Sequence, residues 1–306
     1  MTTSIADRRI GFIGLGQMGY PMAGRLYAAG ARLRVHDLAL ERTNSFLAEH
    51  PGAVAASAAN SFSDVGVVIL SLPDSPAVDG VVLGTESEAG LIDALPLGSV
   101  VIDMSSSQPL RTRALAGKLA DRGLHFVDAP VSGGVKRALD GTLTIMVGGD
   151  LAQYRAQRDL LGTMGSTIAY AGTAGAGHAM KALNNYVSAA GLVATVEALL
   201  VGDEFGLDPE VVVDVLNSST GRNNTTENKV KQFMLSGAFN SGFALGLMAK
   251  DVRTAVELGD TMGVDMTLGR TVARLWAEAA DELQAGADHT EMHRYLQTTE
   301  RALDGS

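Results

Sequence analysis

Apolar residues fall in short runs through the first half of the chain and in wider, helically spaced stripes through the second. Arg9–Gly14 (RIGFIG) is an apolar run closing on glycine, and a helical pattern follows from Gln17 to Ala29. Ala31–Asp37 (ARLRVHD) alternates as a half-buried strand does, and Leu40–His50 returns to helical spacing. Further apolar runs stand at Val65–Leu72, Ser99–Met104, Leu124–Asp128 and Leu143–Val147, with helical stretches at Gln108–Arg122 and Leu151–Met164. Short, nearly continuous apolar strands alternating with helices predict a mainly parallel sheet covered on both faces, a doubly wound α/β fold.

Past about Ala171 the strand signal stops. His178–Phe205 keeps helical spacing over roughly 28 residues, or about 42 Å of helix. Asp208-Pro209-Glu210 then marks a fresh helix start, with an acceptor at the cap, proline at the first position and an acid in the first turn. Helices are also predicted over Lys229–Leu235, Ala244–Met262, Thr267–Ala285 and Thr290–Leu303. No internal repeat or low-complexity linker interrupts the chain. The pattern therefore predicts an α/β domain over 1–173 and an all-α domain over 174–306, joined by a long helix rather than a flexible tether.

Composition narrows the chemistry. The 306 residues include no cysteine, which removes disulfides, thiolate nucleophiles and cysteine metal sites. The formal charge of −10 argues against a nucleic-acid partner, whose phosphates call for a basic face. His289 and His293, spaced i, i+4 around Glu291, read as a solvated face of the last helix, and no metal is expected. The polar start and the shortness of the longest apolar run, Gly191–Val201, predict neither signal peptide nor membrane span. A soluble, cytoplasmic protein is expected.

Glycine is over-represented, at 36 residues, and part of the excess has a defined place. Gly14, Leu15, Gly16, Gln17, Met18 and Gly19 form a G-x-G-x-x-G that follows the first strand and opens the first helix. The first glycine permits the tight turn, the second lets backbone approach a pyrophosphate, and the third lets helix pack on strand. Asp37, 23 residues after Gly14, ends the second strand where a carboxylate can accept from an adenine ribose. With Leu38 after it, NAD is favoured over NADP, although Arg42 lies close by. The first domain is thus expected to be a Rossmann dinucleotide-binding domain.

Taken in order, Gly11–Gly19 (GFIGLGQMG), Leu72-Pro73, Ile102–Ser106 (IDMSS), Asp128–Gly134 (DAPVSGG), Gly141–Gly149 (GTLTIMVGG), Gly175–Asn185 (GAGHAMKALNN) and Lys250-Asp251 resemble the β-hydroxyacid dehydrogenases. The resemblance covers nearly the whole chain. It implies NAD(P)-dependent oxidation of a small 3-hydroxy acid, as by 3-hydroxyisobutyrate dehydrogenase, or the reverse reduction of a semialdehyde. It also implies that Lys181 is the catalytic acid/base and that Asn185 binds the substrate carboxylate. A neutral amine must take the hydroxyl proton, so burial and the start of the long helix would have to lower a lysine that ordinarily titrates near 10.4.

Asn184 and Asn185 fall at i+3 and i+4 from Lys181 and can share its helical face. Ser132, Gly133 and Gly134 can form a nest of hydroxyl and backbone N–H groups for an anion. The resemblance puts Leu72, Pro73 and Ser106 against the cofactor and Lys250 near the nicotinamide, where Asp251 could orient it. In the polar segment Gly221–Lys231, Arg222, Asn223 or Lys229 is the expected reader of the distal end of the substrate. Reductases of tartronate, succinate or sulfolactaldehyde semialdehydes are the nearest alternative, and a non-catalytic NAD-sensing module is the alternative from another class. Imine reductases are disfavoured by Lys181, and 6-phosphogluconate dehydrogenase by the short second half. The apolar faces of the long helix and the helical tail predict a homodimer or homotetramer.

Overall fold

A computed structural model describes residues 5–6, 8–284 and 286–304, with the side chains of 299–304 excepted. The chain divides into two compact units, Met1–Lys181 and Ala182–Ser306, so the first six residues of the long helix belong with the α/β unit.

The first unit is built on strands β1 (Arg9–Ile13), β2 (Arg32–His36), β3 (Val54–Ala55), β4 (Val67–Leu70), β5 (Val100–Asp103), β6 (His125–Asp128), β7 (Val131–Ser132), β8 (Leu143–Gly149) and β9 (Gly165–Gly172). They form one sheet in the order β3-β2-β1-β4-β5-β6-β8-β7, with β9 on β8. The order runs outward in both directions from β1 and β4, as a doubly wound sheet requires. Pairing is parallel from β3 to β6. It turns antiparallel where β8 meets β6 and β7.

Helices α1 (Gly19–Ala28), α2 (Leu40–Glu49), α3 (Ser75–Leu83), α4 (Leu91–Ala94), α5 (Pro109–Asp121), α6 (Gly134–Asp140) and α7 (Leu151–Leu161) connect the strands. Successive strand residues face opposite sides of the sheet. Phe12, Ile69 and Ile102 therefore enter one core with Leu26 and Phe46, whereas Val68, Leu70 and Val101 enter the other with Val78 and Leu119. Burial on both faces explains why these strands read as apolar runs rather than as alternations. Strand β9 does not appear in the apolar pattern because it is an edge strand whose side chains, Ser166 and Thr167 among them, are largely exposed.

The second unit is helical. Helix α8 (Ala176–Glu204) runs into it and is followed by α9 (Pro209–Ser218), α10 (Asn224–Asn228), α11 (Leu245–Thr261), α12 (Thr267–Glu282) and α13 (Met292–Asp304). Asp208 caps α9 by accepting the Glu210 N–H at 2.9 Å, as the sequence predicts. The helix expected over Lys229–Leu235 is a π-helical turn from Val230 to Leu235. That expected to reach Ala285 ends at Glu282, and Ala285 lies outside the described residues. Leu192, Val196 and Leu199 of α8 pack with Val213, Val252, Met292, Leu296 and the fully buried Trp276. By length and composition alone α8 could cross a membrane, but half of its most apolar window is buried within the protein, as in the core helix of a folded domain.

Candidate active site

The glycine loop occupies the turn between β1 and α1. Gly14 has φ +96°, and a Cβ there would stand 2.2 Å from the Ser71 carbonyl oxygen. At Gly19 a Cβ would stand 1.9 Å from the Gly14 carbonyl oxygen, so the loop closes on itself at a distance no side chain permits. Gly16 differs: the nearest atom to its Cβ position is Arg42 Nη1, 3.7 Å away. The middle of the loop thus leaves room for a phosphate to approach the backbone. Leu15 is buried and Met18 half-buried, while Gln17 is exposed.

Asp37 is almost buried, with Oδ2 accepting the Leu15 N–H at 2.7 Å and Oδ1 the Ala39 N–H at 2.8 Å. A carboxylate offers about four acceptor sites, so lone pairs remain for ribose hydroxyls. Arg42 Nη1 stands 3.8 Å from Asp37 Oδ2. Leu72, beyond the end of β4, donates its N–H to Ser105 Oγ at 2.9 Å, beside exposed Pro73 and half-buried Ser106. These ends of parallel strands form the edge at which doubly wound sheets take their ligands. The room at Gly16 and the free acceptor capacity of Asp37 fit a nicotinamide dinucleotide.

On the same unit, Ser132 ends β7 half-buried, and the chain turns through Gly133 (φ +135°) and Gly134 (φ +70°). Below this turn lies a buried polar cluster to which sequence reasoning assigned no role. Asp128, at the end of β6, accepts the Gly175 N–H at 2.8 Å and the His178 N–H at 3.0 Å, anchoring the start of α8. The His178 ring is fully buried, with Nδ1 2.8 Å from Thr112 Oγ1 and Nε2 3.1 Å from the Ser105 carbonyl oxygen. Asp103, at the end of β5, accepts from the Ser105 N–H at 2.9 Å and from Ser107 Oγ at 2.8 Å. The only sequence signal was an acid ending each of two otherwise apolar strands. Lys181 follows His178 by three residues and is 8 % exposed. It lies in the second turn of α8 rather than at its first residue, where the helix dipole is already weakened.

Within the second unit, Asn185 is buried and donates from Nδ2 to Asp251 Oδ2 at 2.6 Å, while its Oδ1 accepts from Asn184 Nδ2 at 3.1 Å. Lys250 Nζ stands 3.5 Å from Asp251 Oδ1. Asp251 thus orients both Asn185 and Lys250. Arg222 is exposed and 3.7 Å from Glu227. Asn223 caps α10, accepting from the N–H groups of Thr225 (2.8 Å) and Thr226 (3.2 Å). Lys229 is half-buried, and that burial pushes its ammonium down to about 8, against the opposing pull of Asp288.

His289 does not lie on a solvated helix face as expected. It is buried in the 3-10 turn before α13, with Nδ1 3.0 Å from Ser241 Oγ and 3.1 Å from the Phe243 carbonyl oxygen, and His293 is half-buried. Asp288, which precedes it, fixes the turn by accepting from Ser241, Gly242 and Thr290. The apolar packing of α13 against Trp276 draws these histidines inward. Among the described residues, no three histidine, aspartate or glutamate side chains converge as a metal ion would need.

Residues 9–172 match the family described as the NAD binding domain of 6-phosphogluconate dehydrogenase, and residues 175–296 match the NAD-binding domain of NADP-dependent 3-hydroxyisobutyrate dehydrogenase. The chain is 37 % identical over 261 residues to 2-(hydroxymethyl)glutarate dehydrogenase of Eubacterium barkeri, covering 85 % of each protein. It is 34 % identical over 297 residues to mitochondrial 3-hydroxyisobutyrate dehydrogenase of Rattus norvegicus, covering 95 % of this chain and 88 % of that one. Among solved structures, Mycobacterium tuberculosis 3-hydroxyisobutyrate dehydrogenase with L-serine superposes with a TM-score of 0.86 at 32 % identity, covering 95 % and 99 % of the two chains. Dehydrogenase relatives over almost the full length set aside a non-catalytic sensor: the chain is an NAD(P)-dependent oxidoreductase acting on a CH–OH group. This chain belongs to the β-hydroxyacid dehydrogenase family.

Proposed function

We propose that the chain interconverts a small 3-hydroxy acid and its semialdehyde, with Lys181 as acid/base. A bound nicotinamide dinucleotide supplies the hydride acceptor in oxidation and the donor in reduction. Ser132, Gly133 and Gly134, with Asn184 and Asn185, hold the substrate carboxylate. In oxidation the Lys181 amine takes the hydroxyl proton as hydride leaves the carbinol carbon, and in reduction the ammonium returns that proton to the carbonyl oxygen. Asp251 keeps the amide of Asn185 turned and steadies Lys250 beside the nicotinamide. Gly14, Leu15, Gly16, Gln17, Met18, Gly19, Asp37, Leu72, Pro73 and Ser106 bind the dinucleotide, and Arg222 is the sequence-based choice for the distal end of the substrate.

The observation that carries this reading is a lysine 8 % exposed on a helix whose first turn is tied to a strand-end carboxylate, one helical turn before a buried asparagine. Relatives named for 2-(hydroxymethyl)glutarate and 3-hydroxyisobutyrate support a primary alcohol β to a carboxylate. Lys181→Ala is expected to abolish turnover of such acids while NAD binding, followed by quenching of protein fluorescence, stays within about twofold of wild type. Turnover retained in that variant overturns the assignment.

The reading includes a cytoplasmic homo-oligomer with neither membrane nor nucleic acid as partner. Val187 and Val201 of α8 are 67 % and 66 % exposed, Phe205 just past its end 82 %, and Val211 and Val215 of α9 each 56 %, which supports burial against another copy. Light scattering at micromolar concentration tests this, and a monomeric mass overturns it.

A further inference from the structure

The turn at Ser132–Gly134 carries a cation that the proposed mechanism does not use. Arg137 is the fourth residue of α6, and helical side chains lean back toward the N-terminus. Its stem lies across the turn: a Cβ on Gly133 would stand 2.5 Å from Arg137 Cδ, 2.9 Å from Cβ and 3.2 Å from Cγ. A side chain at 133 and the stem of Arg137 cannot both be present, and the φ of +135° at Gly133 favours glycine as well. With the stem held there, the guanidinium begins one bond beyond Cδ, at the rim of the Ser132 turn. Arg137 is exposed, and among the described residues its guanidinium has no ion pair or side-chain hydrogen bond. Several exposed arginines of this acidic chain sit against carboxylates, Arg111 on Asp79 and Arg270 on Asp260 among them. Asp140, three residues on, makes no ion pair with Arg137 among the described residues.

We propose that Arg137 reads a second carboxylate on the substrate, so that the preferred substrates are dicarboxylic 3-hydroxy acids and their semialdehydes. The inference rests on the reading that Ser132–Gly134 holds the first carboxylate. A planar fork of N–H donors matches a carboxylate with two parallel hydrogen bonds, and the open rim of the turn leaves the fork free to meet it. Arg222 is the rival reader, and its nearest charge is already Glu227.

The test is a matched pair of alcohols, 2-(hydroxymethyl)butanedioate and 3-hydroxy-2-methylpropanoate, which differ only in whether the second branch ends in carboxylate. Wild type is expected to favour the diacid in kcat/KM by about tenfold, the size of one charge-assisted contact at a partly exposed site. Arg137→Ala should erase that ratio and leave the monoacid within about twofold of wild type, and Arg137→Lys should recover part of it. Lys136→Ala, which removes an equal charge one residue away, should leave the ratio intact. A wild-type preference for the monoacid, an equal loss for both acids in Arg137→Ala, or the same effect in Lys136→Ala or Arg222→Ala overturns the proposal. Ser132→Ala separates the two readings: it should weaken both acids alike, and if it weakens neither, the carboxylate-holding turn is refuted on its own account.

Discussion

Acid should destabilise the second unit in part through His289. Its ring is buried, Nδ1 lies against the Phe243 carbonyl oxygen, and Nε2 is buried with no hydrogen-bond partner among the described residues. Protonation would place an N–H on that unpartnered atom. Burial, with the nearby Lys229 charge adding to it, pushes His289 from an ordinary 6.5 down to about 4, against the pull of Asp288. As pH falls, the unfolded chain therefore takes up the proton first, and stability is lost between about 6.5 and about 4. From pH 7.5 to pH 5 the two values give a loss of about 2 kcal/mol. Lys229, at about 8, is mostly cationic across that range and its own titration adds only a few tenths of a kcal/mol. The chain has one tryptophan, Trp276, fully buried in the same core as Met292 of α13, so its fluorescence reports on the unit that houses His289. Urea unfolding of wild type and His289→Gln, followed at Trp276 at pH 7.5 and pH 5, isolates the effect. The variant keeps a hydrogen-bonding amide and cannot titrate, so its stability should fall by about 2 kcal/mol less than that of wild type. Equal losses in the two proteins would refute the reasoning.

Two further outcomes follow from groups already placed. Asp37→Ala removes the acceptor at the end of β2 and the repulsion of a 2′-phosphate, so the preference for NAD over NADP should narrow by about tenfold or more in the ratio of kcat/KM. Lys229→Met removes a buried charge and should stabilise the protein at pH 7 by on the order of 1–3 kcal/mol in urea unfolding. That advantage should shrink as pH rises through 8 to 10.5, because native Lys229 releases its proton before the unfolded lysine does.

What could be read from the chain depended on how local the cause was. The glycine loop was legible because strand, turn and helix follow one another directly and Gly19 answers to the Gly14 carbonyl inside that stretch; the Ser71 carbonyl that confines Gly14 comes from far along the chain. Asp208-Pro209 announced α9 because a cap acts over two residues. The cluster around His178 was not legible in its roles, since Asp128 is 50 residues away and Ser105 is 73. Only the sheet brings the ends of β5 and β6 under the start of α8. Strand β9 escaped because the pattern registers burial, and an edge strand has little of it. The helical stripe at Val230–Leu235 could not reveal that the turn is π rather than α, since both bury Val230 and Met234. His289 was misread for a related reason: the spacing on either side of it is helical, but its turn is drawn into the core by contacts across the unit.

The continuity of α8 from the Asp128 anchor through Lys181 to Asn185 carries a further consequence. An α-helix advances about 100° per residue, so Lys181 and Asn185 differ by roughly 40° in phase and about 6 Å in height. Substitutions at the intervening positions leave that phase untouched. A single inserted or deleted residue there would swing one group about a quarter-turn away from the other. Between 181 and 185 the protein should therefore tolerate changes of letter far better than changes of count.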